Sequence, residues 1–424
     1  MSRKKIMSPA WLLLLALCAA PVLSLSDQEI EQRFKKVEAE NQKLRQEVVK
    51  AQTSNKKQVT NLKRLMSSQD KLQIHGFMSV AASETSDPVG DTPFGFRDTL
   101  TYRSDTVLAL QFDYQLSEDT KLVSQLMANG RSSFDVDAEW IYLSRKMTDN
   151  WTVRAGRLRL PIYYFSDFIE VGFAYPWARP PIEVYASTQP NFEGVDMLYR
   201  FGFDEWTFVG QVYSGTTAID GKAENYVPPS VGTVKLADDE FKGTDYFGGN
   251  IVASHDALNF RLGYFHFDVG GTLDFTNSNF PAVGIINFSQ LCEYLTGAVL
   301  YNDDIWFALF EVGLLNKRSI GPLPDQLSSI TTLGRRFGKW MPHLSFTNLY
   351  TYNDPEPTEP DPKSAIYQDR SYTLGLRYDM LANTSIKLEV CHYNYFAGSH
   401  GMFGVNEDFD DSLSIYTVSI DSVF

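Results

Sequence analysis

Cysteine is scarce in this chain, 3 in 424 residues, and so is histidine, with 6. That excludes a disulfide scaffold. Basic residues are outnumbered, 38 Lys and Arg against 52 Asp and Glu, giving a net charge of -14. Such a balance argues against a nucleic-acid-binding surface. No apolar run reaches the roughly 18 residues that a membrane-spanning helix needs. The motifs GxSxG, CxxC, HExxH and the P-loop are all missing, and His392 and His400, the closest histidine pair, lack ligand spacing. No catalytic residue, cofactor or metal site is expected. What the chain has in quantity is aromatic residues, 14% of the total, with 22 Tyr and 29 Phe. A mean hydropathy of -0.23 suggests a soluble enzyme. The placement of the aromatics says otherwise.

Residues 1–26 read as a secretory signal. Arg3, Lys4 and Lys5 precede an apolar stretch from Trp11 to Ala20, and Ser24 and Ser26 offer small residues for cleavage. Cys18 follows Leu17 rather than a small residue, so lipidation is not expected; Cys292 and Cys391 then remain. Residues 27–71 contain no Gly or Pro. Their apolar and amide positions recur every 3.5 residues, at Ile30, Phe34, Val37, Asn41, Leu44, Val48, Ala51, Asn55, Gln58, Leu62 and Leu65. A helix this polar cannot bury such a stripe alone, which predicts a coiled coil and self-association. Asn41 and Asn55 would fix its register. A single solvated helix folded back on its own protein is the alternative.

From Leu72 onward the period becomes two. Leu108, Leu110, Phe112, Tyr114 and Leu116 oppose Ala109, Gln111, Asp113 and Gln115. Ile386, Leu388 and Val390 oppose Lys387 and Glu389 in the same way. Short polar turns, such as Ser117-Glu118-Asp119 and Ala382-Asn383-Thr384, alternate with long loops rich in Gly, Pro and Asp. Seven turns and eight loops join sixteen strands. Short links at one end, long ones at the other and an even count predict an all-β fold, a 16-stranded antiparallel transmembrane β-barrel over 72–424. Trp151, Trp206, Tyr301, Trp306, Trp340, Tyr350, Tyr352 and Tyr378 begin or end strands, as interfacial girdle residues do. Lipid and lipopolysaccharide are therefore expected partners.

Four stretches carry a resemblance. They are the terminal Tyr416, Val418, Ile420 and Phe424 of one parity, the run Gly156 to Pro161, the run Tyr175 to Pro181, and Glu193-Gly194-Val195-Asp196. Together they resemble Gram-negative trimeric porins of the DcaP-like type, across nearly the whole chain. The resemblance implies a homotrimer with one pore per subunit, a coiled coil in the periplasm and passive diffusion of small polar or charged solutes.

An aqueous lumen needs something to narrow it. The loop 161–191 is aromatic and Pro-rich, with Tyr163, Tyr164, Phe165, Phe173, Tyr175, Trp177, Pro180 and Pro181, and folding inward would bury it. An external lid or a trimer contact is the other reading. Its charges Asp167, Glu170, Arg179 and Glu183, with Arg154, Arg157 and Arg159 on the wall before it, form the expected constriction. Arg157 shares the outward parity of Val153 and Ala155 and would have to turn inward at the strand end. Lumen-facing positions are expected at Asp113, Glu139, Asp196, Arg200, Arg261, Arg377, Asp379, Lys387 and Glu389. Arginines facing loop carboxylates would create a transverse field, whereas a ring of one sign would select counter-ions.

Charge divides unevenly along the chain. Residues 27–71 hold 11 basic and 7 acidic residues, whereas 72–424 hold 24 and 45. Much of the excess acid lies in loops, as solvated faces or as binding sites for divalent cations. Two other functions stay open at this point: a barrel enzyme such as a hydrolase, and a structural or adhesive protein whose coil binds the cell wall.

Overall fold

The period-two pattern closes on itself. A computed structural model describes residues 71–88, 94–185, 191–220, 235–236, 240–274, 284–318, 324–352, 368–395 and 412–424, with single positions at 43, 50, 276 and 282. The chain divides into two units, 1–69 and 70–424. Of the first, only Lys43 and Lys50 are described, both helical. The signal segment and the predicted seam from Ile30 to Leu65 lie outside the described residues.

The second unit is built of strands: β1 (Leu72–Thr85), β2 (Val107–Ser117), β3 (Thr120–Asn129), β4 (Val136–Lys146), β5 (Trp151–Arg159), β6 (Asn191–Phe203), β7 (Trp206–Asp220), β8 (Lys235–Leu236), β9 (Glu240–His255), β10 (Leu258–Asp274), β11 (Ile285–Asn302), β12 (Trp306–Lys317), β13 (Gln326–Arg335), β14 (Trp340–Thr351), β15 (Gln368–Leu381), β16 (Thr384–Tyr395) and β17 (Ser412–Val423). The two-residue β8 pairs on the end of β10. The others pair antiparallel with their chain neighbours, β7 with β9, and β17 returns to β1. Sixteen strands therefore form a closed antiparallel barrel. Closure leaves no sheet edge, as a barrel in hydrocarbon requires.

Alternation separates the two faces. Leu262, Leu344, Leu374, Val418 and Ile420 are exposed, while their neighbours Arg261, Ser345, Thr373, Thr417 and Ser419 are buried. Trp151, Tyr301, Trp306 and Trp340 are exposed beside the short turns, and Trp340 meets Tyr378 with ring centroids 4.4 Å apart. Cys292 and Cys391, on the tenth and fifteenth strands of the ring, are both free and buried. β7, β9 and β10 run further than the loop boundaries at 216–244 and 269–284 predict. Their tips pair through polar side chains, Ser289 to Asp268 at 2.8 Å and Thr272 to Asn287 at 2.7 Å. Glycines and hydroxyls there concealed the extended backbone. A register shift opposite Gln125 and Leu126 explains Glu139: strict alternation would expose it with Ile141, but it is buried beside Arg159.

Candidate functional site: the loop-filled lumen

After β5 the chain runs across the barrel. Pro161 to Tyr185 contains short helical turns at Ser166–Phe168, Gly172–Ala174 and Ile182–Tyr185. Its polar contacts fall on β10 to β17 in succession. Thr296 on β11 donates to Ile162 O at 2.9 Å. Glu311 on β12 accepts from Tyr164 N at 2.6 Å and from the Tyr185 hydroxyl. Trp177 Nε1 donates to Ser345 Oγ at 2.9 Å, Arg377 reaches Phe173 O at 2.8 Å, and Ala178 N donates to Glu389 at 2.8 Å. Gly172 approaches Ser79 on β1. A single loop can touch this face of so many contiguous strands of a closed ring only from within.

Aromatic packing is the main reason it lies there. Tyr163, Phe165, Tyr175, Trp177 and Tyr185 join one apolar cluster with the inward Phe307, Leu309, Ile330 and Met341. Phe165 meets Tyr175 and Trp177 edge to face at 6.0 and 5.5 Å. Burying each large ring contributes roughly 1.5–3 kcal/mol.

The loop lies along β10 to β1, and charged lumen-facing groups line β2 to β6. Arg154 bridges to Asp196, with Nε 2.9 Å from Oδ1. Gln211 also donates to Asp196, at 2.7 Å. Lys121 pairs with Asp113 at 2.8 Å. In both pairs the cation is the more exposed partner, Arg154 22% against 0% for Asp196, and Lys121 42% against 13% for Asp113. Asp167 on the loop is exposed and has no ion pair among the described residues. Arg154, Arg261 and Arg159 are the cations that face it. Glu170 beside it is held by Arg131 at 2.9 Å.

Several predicted residues lie elsewhere. Arg157 is not at the constriction. It keeps the outward parity of its strand and pairs with Glu193 at 2.5 Å, both partners about half exposed. Arg179, on the loop itself, is buried, bound to Asp105 at 2.7 Å and 4.8 Å from the Phe96 ring. Glu183 is buried against the wall, away from lumen water. Arg159 is buried with Glu139 and over the Trp140 ring. Arg261, Lys387 and Glu389 point inward as expected but are covered by the loop. Arg377 pairs with Asp379 at 2.7 Å. Arg200 has the inward parity of Asp196 and is exposed next to the 204–205 turn, away from the loop. Residues missed by the sequence reading include Lys121, Arg131, Asp105, Glu311 and Asp421. Glu311 and Asp421 share the parity of inward neighbours, Leu309 and Ser419, and that signal could have found them.

Comparison with solved structures matches this arrangement. OmpF of Salmonella typhi aligns over 83% of this chain and 97% of its own, with a TM-score of 0.53 and 11% identity. The trimer form of OmpT from Vibrio cholerae aligns over 83% and 99%, at 0.52 and 10%. The outer-membrane channel DcaP of Acinetobacter baumannii aligns over 83% and 97%, at 0.50 and 9%. The fold is that of the outer-membrane porins. No family model and no curated protein matches the sequence. The porin fold therefore rests on strand count, closure and the infolded loop, at identities too low to carry function.

Proposed function

We propose that this chain is an outer-membrane porin of the DcaP-like type, allowing passive diffusion of small polar or charged solutes, and not an enzyme. The observation that carries the reading is the loop from Pro161 to Tyr185, bound to the inner face of a closed sixteen-stranded ring. A loop placed there narrows an aqueous barrel. Arg154 and Lys121 on the wall and Asp167 on the loop give the opening opposite signs on its two sides. That arrangement orients dipolar solutes across the pore. Residues 1–26 serve as the signal, 27–71 as a periplasmic coiled coil and 72–424 as the barrel of a homotrimer. Lipid and lipopolysaccharide surround the trimer.

Planar-bilayer recording of the purified protein tests this. Stepwise closure in groups of three supports one pore per subunit of a trimer, and silence rejects the channel. Deleting 27–71 leaves conductance intact when the coil is accessory; loss of the triplet steps makes it an assembly element.

A further inference from the structure

An infolded loop carries backbone carbonyls away from bulk water, and buried carbonyls need donors. Three inward cations supply them in pairs. Arg261 on β10 donates to Pro161 O and to Ile162 O. Arg377 on β15 donates to Phe173 O at 2.8 Å and Tyr175 O at 3.0 Å. Lys387 on β16 donates to Gly172 O at 2.5 Å and Trp177 O at 2.6 Å. Six loop carbonyls thus end on three side chains from three strands.

Lys387 is the most enclosed of the three, 1% exposed. An ammonium has three donors. Gly172 O, Trp177 O and Asp421, 3.1 Å away, account for all of them. No donor remains for a passing anion, so this wall lysine is not a solute ligand. Gly172 seats just as tightly. A Cβ on it would stand 2.3 Å from Asp421 Oδ1 and 2.6 Å from Ser79 Oγ. The loop is therefore pressed against β17 and β1 at the point where Lys387 grips it.

We propose that Lys387 is the positioning residue of the pore: its bonds to Gly172 and Trp177 hold the returning limb of the loop against β16 and β17, and so fix the opening between Asp167 and the Arg154 wall. The consequence for the opening rests on the channel reading; the grip itself is testable without conductance. Cys391 is the reporter, because it is buried in one apolar cluster with the loop residue Ile182.

In a Cys292→Ser background, native detergent-solubilised protein is treated with a small methanethiosulfonate. Cys391 should stay unreactive in the otherwise wild-type barrel and in Lys387→Arg, which keeps charge and donors. It should react in Lys387→Met, which removes all three bonds at similar length. In bilayers Lys387→Met should show a roughly twofold or greater rise in single-channel conductance, because the restricting element is released. Folding is checked by heat-dependent gel migration. If Lys387→Met does not fold, Gly172→Val forces the same limb off the wall and should expose Cys391 equally. Protection of Cys391 in a folded variant overturns the proposal whatever the conductance. A silent channel with an exposed thiol rejects the porin reading and leaves the grip standing.

Discussion

Arg154 on β5 and Asp196 on β6 are direct cross-strand partners, and the pair shows its cation to the lumen while sealing its acid. The wall is therefore electrically directional even though its charges are matched.

Arg154→Ala removes the exposed half and leaves Asp196 uncompensated. Breaking a fully buried pair costs about 3–5 kcal/mol. Arg154 is partly in water, so the cost here is smaller, and the closed barrel should persist. The pore should become more cation-selective, measured as a shift of reversal potential in a salt gradient. Adding Asp196→Asn should return the potential toward wild type. An unchanged potential in the single variant would place Arg154 outside the conducting path.

Asp167→Asn should shift the reversal potential the other way, toward anions. Asp167 is the exposed carboxylate on the loop and carries no ion-pair partner among the described residues. Because it meets lumen water, its influence should fade as salt rises, with a screening length of about 10 Å at 0.1 M and about 3 Å at 1 M. Recording the variant at both concentrations separates this field from a change of pore shape, which salt would not erase.

The barrel was legible in the sequence because membrane strands must alternate, and a lipid-facing leucine and an inward lysine leave opposite marks at adjacent positions, as Lys387 and Leu388 do. Parity also placed Asp196, Arg261 and Glu389 inward. It could not reveal which inward charges meet water. That depends on where the loop lies, and the loop covers Lys387 while leaving Arg154 partly open. Arg157 shows the limit from the other side: its parity pointed outward, and the strand-end exception proved unnecessary because Glu193 is its cross-strand partner. Asp105 and Arg131 belong to loops, where no period exists to reveal them.

Glu183 should make the loop seat pH-dependent. Its side chain is almost wholly buried. Burial lifts its pKa from 4.5 to about 7, and the nearby Ser371 hydroxyl only partly offsets this. On leaving the wall the carboxyl regains its ordinary value in water. The seated loop is therefore favoured by the neutral acid. That advantage is complete below about pH 4.5 and is lost as pH rises to about 7. At full ionisation the penalty is roughly 3 kcal/mol. Current noise should increase from pH 5 to pH 8. Glu183→Gln should flatten that profile at the acid-side level. A flat wild-type profile would mean that Glu183 stays neutral throughout or that the limb does not move.

Cys292 and Cys391 should be thiols with no bridge between them. They lie on β11 and β16, five strands apart around the wall. Neighbouring strands are about 4.7–4.9 Å apart, and a disulfide tolerates Cα atoms no more than about 7 Å apart. Protein purified from membranes and unfolded without reductant should take up two alkyl groups, read by mass. Three would show that Cys18 and the signal segment remain. None would require β11 and β16 to approach each other, which the closed ring forbids. In the folded protein neither should react, because Cys292 packs under the aromatic cluster and Cys391 under Ile182. Selective reaction of Cys391 before unfolding would show that the loop limb from Ile182 to Tyr185 leaves the wall even with Lys387 in place.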